Sequence, residues 1–268
     1  MTFTDKFKNK VVWITGASSG YGESLARAFS KAGARLVLSA RRQDKLISLA
    51  EELGQAVVIP VDLARIDSFT EKSRQAIEAY GQIDYLIHNG ALAQNATVQE
   101  TNLSVERQLM EVDYFSYTEL TRCILPHMLQ RKCGHIIVVS GLLAHINLPG
   151  RSTYAAAKAA LIAYFGCLRA ELVQSNIRIQ VLIPGTMQTE LVNKAIKADG
   201  HPVEPVDETF SAKGCPPEEA ARQALEAIYS EKMLSYIGLQ DSSYQLWKLT
   251  LNNPEEGIQM LLAKLKDI

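Results

Sequence analysis

No sign of charge dominates this chain. Across 268 residues, 28 Lys and Arg are set against 29 Asp and Glu, a formal net charge of −1, and the pI is near 6.5. So balanced a protein has no field strong enough to gather nucleic acid or an anionic membrane surface. Cysteine is scarce. Cys123, Cys133, Cys167 and Cys215 are widely spaced, with no CxxC pair and no His cluster beside them. This argues against a disulfide framework and against any metal site, and for reduced thiols in a cytoplasmic protein. Long apolar runs are missing as well. The opening "MTFTDKFKNK" carries cations but no apolar stretch, and the "VVWITG" behind it is too short to span a bilayer. A soluble, unexported chain with no membrane span is expected. Internal repeats and low-complexity linkers are absent too.

What is present is ordinary globular material, 47% hydrophobic and 21% charged, enough for a sizeable core. The length suits one large α/β domain over 1–268, and small-molecule chemistry is the class left open. Short β-branched runs occur at 10–16, 35–40, 56–62, 84–89, 135–140 and 177–184, with a weaker one at 234–239. Helical patterns fall between them at 21–32, 43–53, 67–79, 104–132, 152–175 and 217–230. Strand and helix in alternation, with nearly continuous apolar strands, predict a doubly wound α/β fold, its parallel sheet covered on both faces. The irregular 190–216, which mixes Gly, Pro and charges, reads as a lid over a site. Residues 241–268 form a C-terminal extension with an amphipathic helix expected at 255–266.

The first strand runs into "TGASSGYG", with Gly16, Gly20 and Gly22 spaced Gly-x-x-x-Gly-x-Gly. Such glycines permit a tight turn and close backbone approach to phosphate, and the helix that follows offers free N–H groups and a positive dipole end. A pyrophosphate cradle is expected here, with Ser18, Ser19 and Tyr21 inside it. The second strand ends "LVLSARR". A carboxylate would hold a ribose 2′-OH at that place, whereas Arg41 and Arg42 suit a 2′-phosphate, so NADP(H) is the expected cofactor. Asp62, followed by Leu63, ends the third strand and either accepts from an adenine amino group or caps the next helix. Asn89, Gly90 and Ala91 end the fourth on the same edge, where a glycine suits either a close cofactor or a plain turn.

Further on, "YAAAK" puts Tyr154 and Lys158 at i and i+4 on one helix face, with Cβ atoms about 5–6 Å apart. A free tyrosine titrates near about 10, and a neighbouring ammonium favours the phenolate. Tyr154 can then give a proton to a carbonyl oxygen or take one from an alcohol.

With "TGASSGYG", "HNGA", "YAAAK" and "PGTMQT" in this order and spacing over about 8–240, the chain resembles the short-chain dehydrogenase/reductase family. The resemblance implies a Rossmann-type domain with about seven parallel strands, an NAD(P) cofactor, Tyr154 as acid/base, and Lys158 lowering its pKa while holding the nicotinamide ribose. It also implies that Pro184, Gly185, Thr186 and Thr189 lie against the nicotinamide. The pattern around "SARR" is similar to that of the NADP-preferring members.

Three positions depart from the family. "NNAG" is "HNGA" here, with His88 for Asn; Asp113 stands where an Asn helps hold a water of a proton relay; and Gly141 occupies the place of the serine that bonds the substrate carbonyl. Ser140 is one residue early. In a regular strand it faces away from the substrate, unless a bulge at Gly141 re-aims it; Ser140 and Asp113 are retained as candidate catalytic residues. His145 is a packing histidine or a substitute donor. Leu142, Leu143, Leu148, Met187 and Leu191 suggest a small apolar carbonyl or alcohol substrate, or ordinary core. The expected function is NADP(H)-dependent interconversion of a carbonyl and a secondary alcohol. The competing one is a catalytically weak NADP-binding regulatory or structural relative. Helices 104–132 and 152–175 carry more small and apolar residues than one sheet contact needs, and resemble those that pair across subunits in homodimers or homotetramers.

Overall fold

A computed structural model describes residues 6–204, 214–239 and 241–266. Seven strands form one parallel sheet in the order β3-β2-β1-β4-β5-β6-β7. They are β1 (Val11–Thr15), β2 (Arg35–Ser39), β3 (Ala56–Val58), β4 (Tyr85–His88), β5 (Gly134–Val139), β6 (Ile177–Pro184) and β7 (Leu234–Ile237). The expected doubly wound, Rossmann-type sheet is therefore present.

Its strands are buried on both faces, and period-two alternation sends neighbouring residues to opposite helical layers. Val12, Ile14, Leu36, Leu38, Ile87 and Leu182 pack on one side with Leu25 and Phe29 of α1 (Gly20–Lys31) and with Ala224 and Ile228 of α7 (Pro217–Tyr229). Trp13, Val37, Leu86, Ile136, Val138 and Val181 face the other side. There they meet Phe69 of α3 (Phe69–Tyr80), Tyr117 and Ile124 of α5 (Ser116–Arg131), and Leu161 and Phe165 of α6 (Ser152–Glu171). Between β2 and β3 runs α2 (Gln43–Leu53).

Three segments differ from expectation. The third strand is a short ladder; beyond it Ile59 N and Val61 N still bond Leu38 O and Ala40 O at 3.0 and 3.2 Å. The single helix expected over 104–132 is α4 (Leu103–Met110), a wider π-type turn at Glu111–Phe115, and then α5. The C-terminal extension holds two helices, α8 (Asp241–Asn252) and α9 (Pro254–Lys266), where one was expected. Leu246, Trp247 and Leu261 from this pair pack on Leu142, Ile146 and Leu148 of the loop behind β5. Of the expected lid, 205–213 lies outside the described residues.

The strand order turns around between β1 and β4, which pair through Val12 with Tyr85 and Ile14 with Ile87. Connections leave these two strands in opposite directions, so a crevice opens at their carboxyl ends. No helix among the described residues is long and apolar enough to cross a membrane.

Candidate active site

At the carboxyl end of β1, Gly16 has φ +68°, and a Cβ there would lie 2.5 Å from Gly90 Cα. A Cβ on Gly22 would come 2.2 Å from Gly16 O, and one on Gly90 would meet Leu63 Cδ1 at 2.6 Å. At Gly16 and Gly22, where the clash is with backbone, only glycine fits; a Cβ at Gly90 would have to displace the end of the Leu63 side chain. Asn89 ties the two strand ends together, its Nδ2 donating to Thr15 O at 3.1 Å, while Thr15 Oγ1 accepts from Asn89 N at 3.0 Å. Ala91 follows, half-buried. The result is a closed backbone turn with the N-terminus of α1 open above it, which suits a pyrophosphate.

Above the cradle, Arg42 Nη2 donates to Ser18 Oγ at 3.0 Å and to Ser19 Oγ at 2.6 Å. Together with Gly20, Lys45, Thr189 and Asn193 these residues line a cavity of about 670 Å³. Of the residues expected at the cofactor, Tyr21 keeps its side chain in the core. Arg41 is exposed. The Tyr21 ring is buried in the core beside α1, and burial drives its phenol far above the usual range; it serves the cradle by its backbone alone. Asp62 caps the turn behind β3, accepting from Ala64 N at 3.1 Å, and the side chain is exposed.

Across the crevice, Pro184 ends β6 paired with Ile237. Gly185 N bonds Ile237 O at 2.9 Å, Thr186 O accepts from Cys215 N at 2.9 Å, and Thr189 N bonds Met187 O at 2.9 Å. A Cβ at Gly20 would lie 3.1 Å from Thr189 Cγ2, so this loop sits directly against the cradle. The backbone fits a dinucleotide running from Arg42 past Gly16 toward Thr189.

Tyr154 and Lys158 stand at the start of α6. No side chain at the head of this helix caps it. Instead Gln94 Oε1, from the loop behind β4, accepts Thr153 N at 2.9 Å and Tyr154 N at 3.4 Å, and Gln94 O accepts from Arg151 Nη1. The Lys158 ammonium is buried over two aromatic faces, 5.4 Å from the Tyr154 ring centre and 5.2 Å from that of Tyr117. Tyr117 donates to Gly90 O at 2.9 Å, linking the pair to the cradle.

The electrostatics are dominated by burial. It raises the Tyr154 phenol; the Asp113 charge raises it further, and the Arg151 guanidinium opposes both. Lys158 is pushed below its ordinary value by burial and held up by Asp113. Asp113 itself is completely buried, pushed up to about 6 by desolvation against the pull of Lys158 and of the Leu92 N–H. Two cations therefore stand by Tyr154: Arg151 just ahead of α6, which favours the ionised phenol, and Lys158 over the ring face. Gln94, Tyr117 and Arg151 escaped the sequence reading, although Arg151 at i−3 and Tyr117 at i+4 from Asp113 were spacings that pointed to them.

Ser140 does not reach the reacting face. Its Oγ donates to Lys158 O at 2.8 Å, buried between β5 and α6, so placing it beside the substrate is corrected. No bulge re-aims it, because Gly141 is plainly extended at φ 178° and ψ 160°. It is Gly141 that faces the tyrosine: a Cβ there would have only Tyr154 Oη within 4 Å, at 3.8 Å. Gly141→Ser is therefore expected to raise kcat for carbonyl reduction about tenfold. That is a fraction of the 10²–10³ attached to an optimally placed oxyanion donor, because a grafted hydroxyl is not pre-organised. An unchanged or lower rate would show that another group already donates. His145 lies tilted at 45° against Tyr236, ring centres 6.2 Å apart, in keeping with a packing role.

The short-chain dehydrogenase family model matches residues 10–200. Dehydrogenase/reductase SDR family member 7B of Mus musculus is 36% identical over 233 residues, covering 84% of this chain and 72% of that protein. Dehydrogenase/reductase SDR family protein 7-like of Drosophila melanogaster is 38% identical, with the same coverage of 84% and 72%. Among solved structures, a short-chain dehydrogenase from Streptomyces avermitilis superposes with a TM-score of 0.80 at 25% identity, over 97% of this chain and 99% of that one. A short-chain dehydrogenase/reductase from Burkholderia phymatum in complex with NAD gives 0.80 at 19%, over 95% and 96%. With a glycine cradle at the sheet's turning point and a tyrosine and lysine one helical turn apart beside it, the chain belongs to the short-chain dehydrogenase/reductase family of oxidoreductases.

Proposed function

We propose that this protein is an NADP(H)-dependent reductase of a small, apolar carbonyl compound, or the dehydrogenase of the corresponding secondary alcohol. The observation that carries the reading is the Tyr154 hydroxyl, which faces the open space over Gly141 beside the glycine cradle. A bound nicotinamide supplies a hydride to the carbonyl carbon. This chain's residues do the rest. Tyr154 gives its proton to the carbonyl oxygen, and Arg151 and Lys158 offset the negative charge left on the phenol oxygen. Leu142 and Leu148, backed by Trp247 of the C-terminal helices, give the pocket an apolar wall.

Preference for the phosphorylated cofactor is supported by the Arg42 fork on Ser18 and Ser19 and by the lack of any acid at the end of β2. A guanidinium bonded to phosphate contributes about 1.5–3 kcal/mol. Arg42→Ala is therefore expected to raise KM for NADPH at least tenfold and to leave KM for NADH within about twofold; equal effects on both would remove the 2′-phosphate from the argument. The function itself is tested by following NADPH oxidation with a panel of ketones and aldehydes. The second reading, a cofactor-binding relative with little turnover in the cytoplasm, has one observation in its favour: Ser140 is turned away and Gly141 offers no hydroxyl. Tight NADPH binding with no turnover of any panel member would favour it. A homodimer or homotetramer is proposed on the exposed Leu103 and Phe115 beside α6, and sedimentation would measure it.

A further inference from the structure

The helix that carries Tyr154 begins without a cap of its own. Arg151 stands at the N-cap position and its side chain makes no capping hydrogen bond, and Ser152 Oγ is buried with no partner among the described residues. The N–H groups at a helix start are ordinarily met by the N-cap side chain, which accepts from the second or third helical residue. Here those two are Thr153 and Tyr154, and both donate to Gln94 Oε1, at 2.9 and 3.4 Å. The Gln94 amide sits only one way round. Thr101 Oγ1 donates its proton to Thr97 O at 2.6 Å, so toward Gln94 it accepts, and the group 3.2 Å from it is the Nε2 donor. The oxygen is thereby aimed at the helix. Gln94 is 0% exposed, and its backbone is held from both sides. On one side Ile196 N bonds Ala93 O at 2.9 Å and Asn95 N bonds Ile196 O at 2.8 Å; Ile196 in turn packs on Val105 and Leu109 of α4. On the other, Ala96 N bonds Gly150 O at 3.2 Å, and Gln94 O accepts from Arg151 Nη1. None of these contacts involves the glycine cradle or Arg42.

We infer that Gln94 is a positioning residue for the proton transfer: its side-chain oxygen sets how Tyr154 reaches over Gly141, and its backbone carbonyl sets where the Arg151 guanidinium stands. The inference rests on the reductase reading. Gln94 acts through the head of α6 and not on the reacting atoms. Without its oxygen the Thr153 and Tyr154 N–H groups lose their acceptor, and the first helical turn, which bears the phenol, relaxes to find others. A shift of about 1 Å at a reacting group costs on the order of 10²-fold in rate. The cofactor cradle lies on β1 and α1, outside this network, so the cost falls on the chemical step and not on cofactor binding.

Gln94→Leu keeps much of the side chain's bulk and removes both polar ends. With NADPH and the panel of ketones and aldehydes, its kcat should fall about 10–10²-fold, while Kd for NADPH stays within about twofold of the wild type. Gln94→Asn, whose amide stops one methylene short of the helix, should behave alike, and it carries the test if the leucine variant does not fold. Independently of turnover, hydrogen exchange at the Thr153 and Tyr154 amides should quicken at least about tenfold in either variant, with amides in the middle of α6 unchanged. Unchanged exchange at both amides would overturn the positioning role. If the wild type reduces a carbonyl through Tyr154 yet the folded variants keep its kcat, that role alone falls. If kcat and NADPH affinity drop together, Gln94 holds the fold and not the phenol, and the role falls again. If the wild type reduces no carbonyl, the reductase reading falls and takes the positioning role with it.

Discussion

Tyr154→Phe is expected to lower carbonyl reduction about 10²–10⁴-fold, the range of a positioned general acid, while NADPH binding stays within about threefold. The substitution removes one oxygen and keeps the ring. The Lys158 ammonium still has an aromatic face 5.4 Å away, and the Tyr117 face at 5.2 Å is untouched, so the cation–π contacts remain. Gln94 caps the start of the helix through backbone N–H groups, so the helix is not weakened either. Among the described residues, no hydrogen bond made by the Tyr154 hydroxyl holds the fold together. What disappears is the proton donor over Gly141, and with no serine there, nothing else at that spot carries a hydroxyl. Stopped-flow measurement of NADPH oxidation, alongside fluorescence titration of NADPH binding, separates the two quantities. Equal rates in the variant and the wild type would remove Tyr154 from the chemistry.

The parallel sheet and the cradle were legible in the sequence because each rests on local physics. The middles of "KVVWITG" and "HIIVVS", VVWI and IIVV, are unbroken apolar runs, and a strand covered on both faces buries every residue of such a run. Gly16, Gly22 and Gly90 stand where a Cβ would strike backbone or Leu63, a constraint that leaves glycine as its trace. The break at Glu111–Phe115 left no such trace, since the same residues continue an ordinary helical pattern; in the fold the turn packs on α6 through Tyr114 and Tyr164, ring centres 6.0 Å apart. Ser140 was ambiguous for a related reason. Period two predicts that it faces away, but a glycine next to it leaves open a bulge, and only the backbone angles at Gly141 decide. Gln94 acts through a loop that folds back over the head of α6, a contact between segments nearly sixty residues apart that no spacing rule reveals.

His88 and His135 make stability fall steeply in acid, and this is the largest effect expected outside catalysis. Both rings are buried, and desolvation drives each from the ordinary 6.5 down to about 3. In the unfolded chain each titrates near its ordinary value, so between these limits the unfolded state binds more protons. The stability is fully present above about pH 6.5 and is lost as pH falls toward about 3. At about 1.36 kcal/mol per pH unit, the complete loss is about 4–5 kcal/mol per ring, of which about 2 kcal/mol is gone by pH 5. Asp113 works the other way: its folded value of about 6 lies above the ordinary 3.8, so its cost is fully present above about pH 6 and fades as pH falls, returning about 3 kcal/mol at most. Two rings outweigh one carboxyl, and the net slope is destabilising. In His88→Asn the ring stacked on Tyr117 at 4.8 Å and bonded to Thr121 at 2.8 Å is lost, which lowers stability at pH 7.5. Its own share of the acid slope should disappear with it, so between pH 7.5 and 5 the variant should lose about 2 kcal/mol less than the wild type. Urea unfolding midpoints at pH 7.5, 6 and 5 measure the difference. Parallel curves for the two proteins would mean that His88 does not stay neutral in the fold, because a ring charged in both states contributes no slope at all.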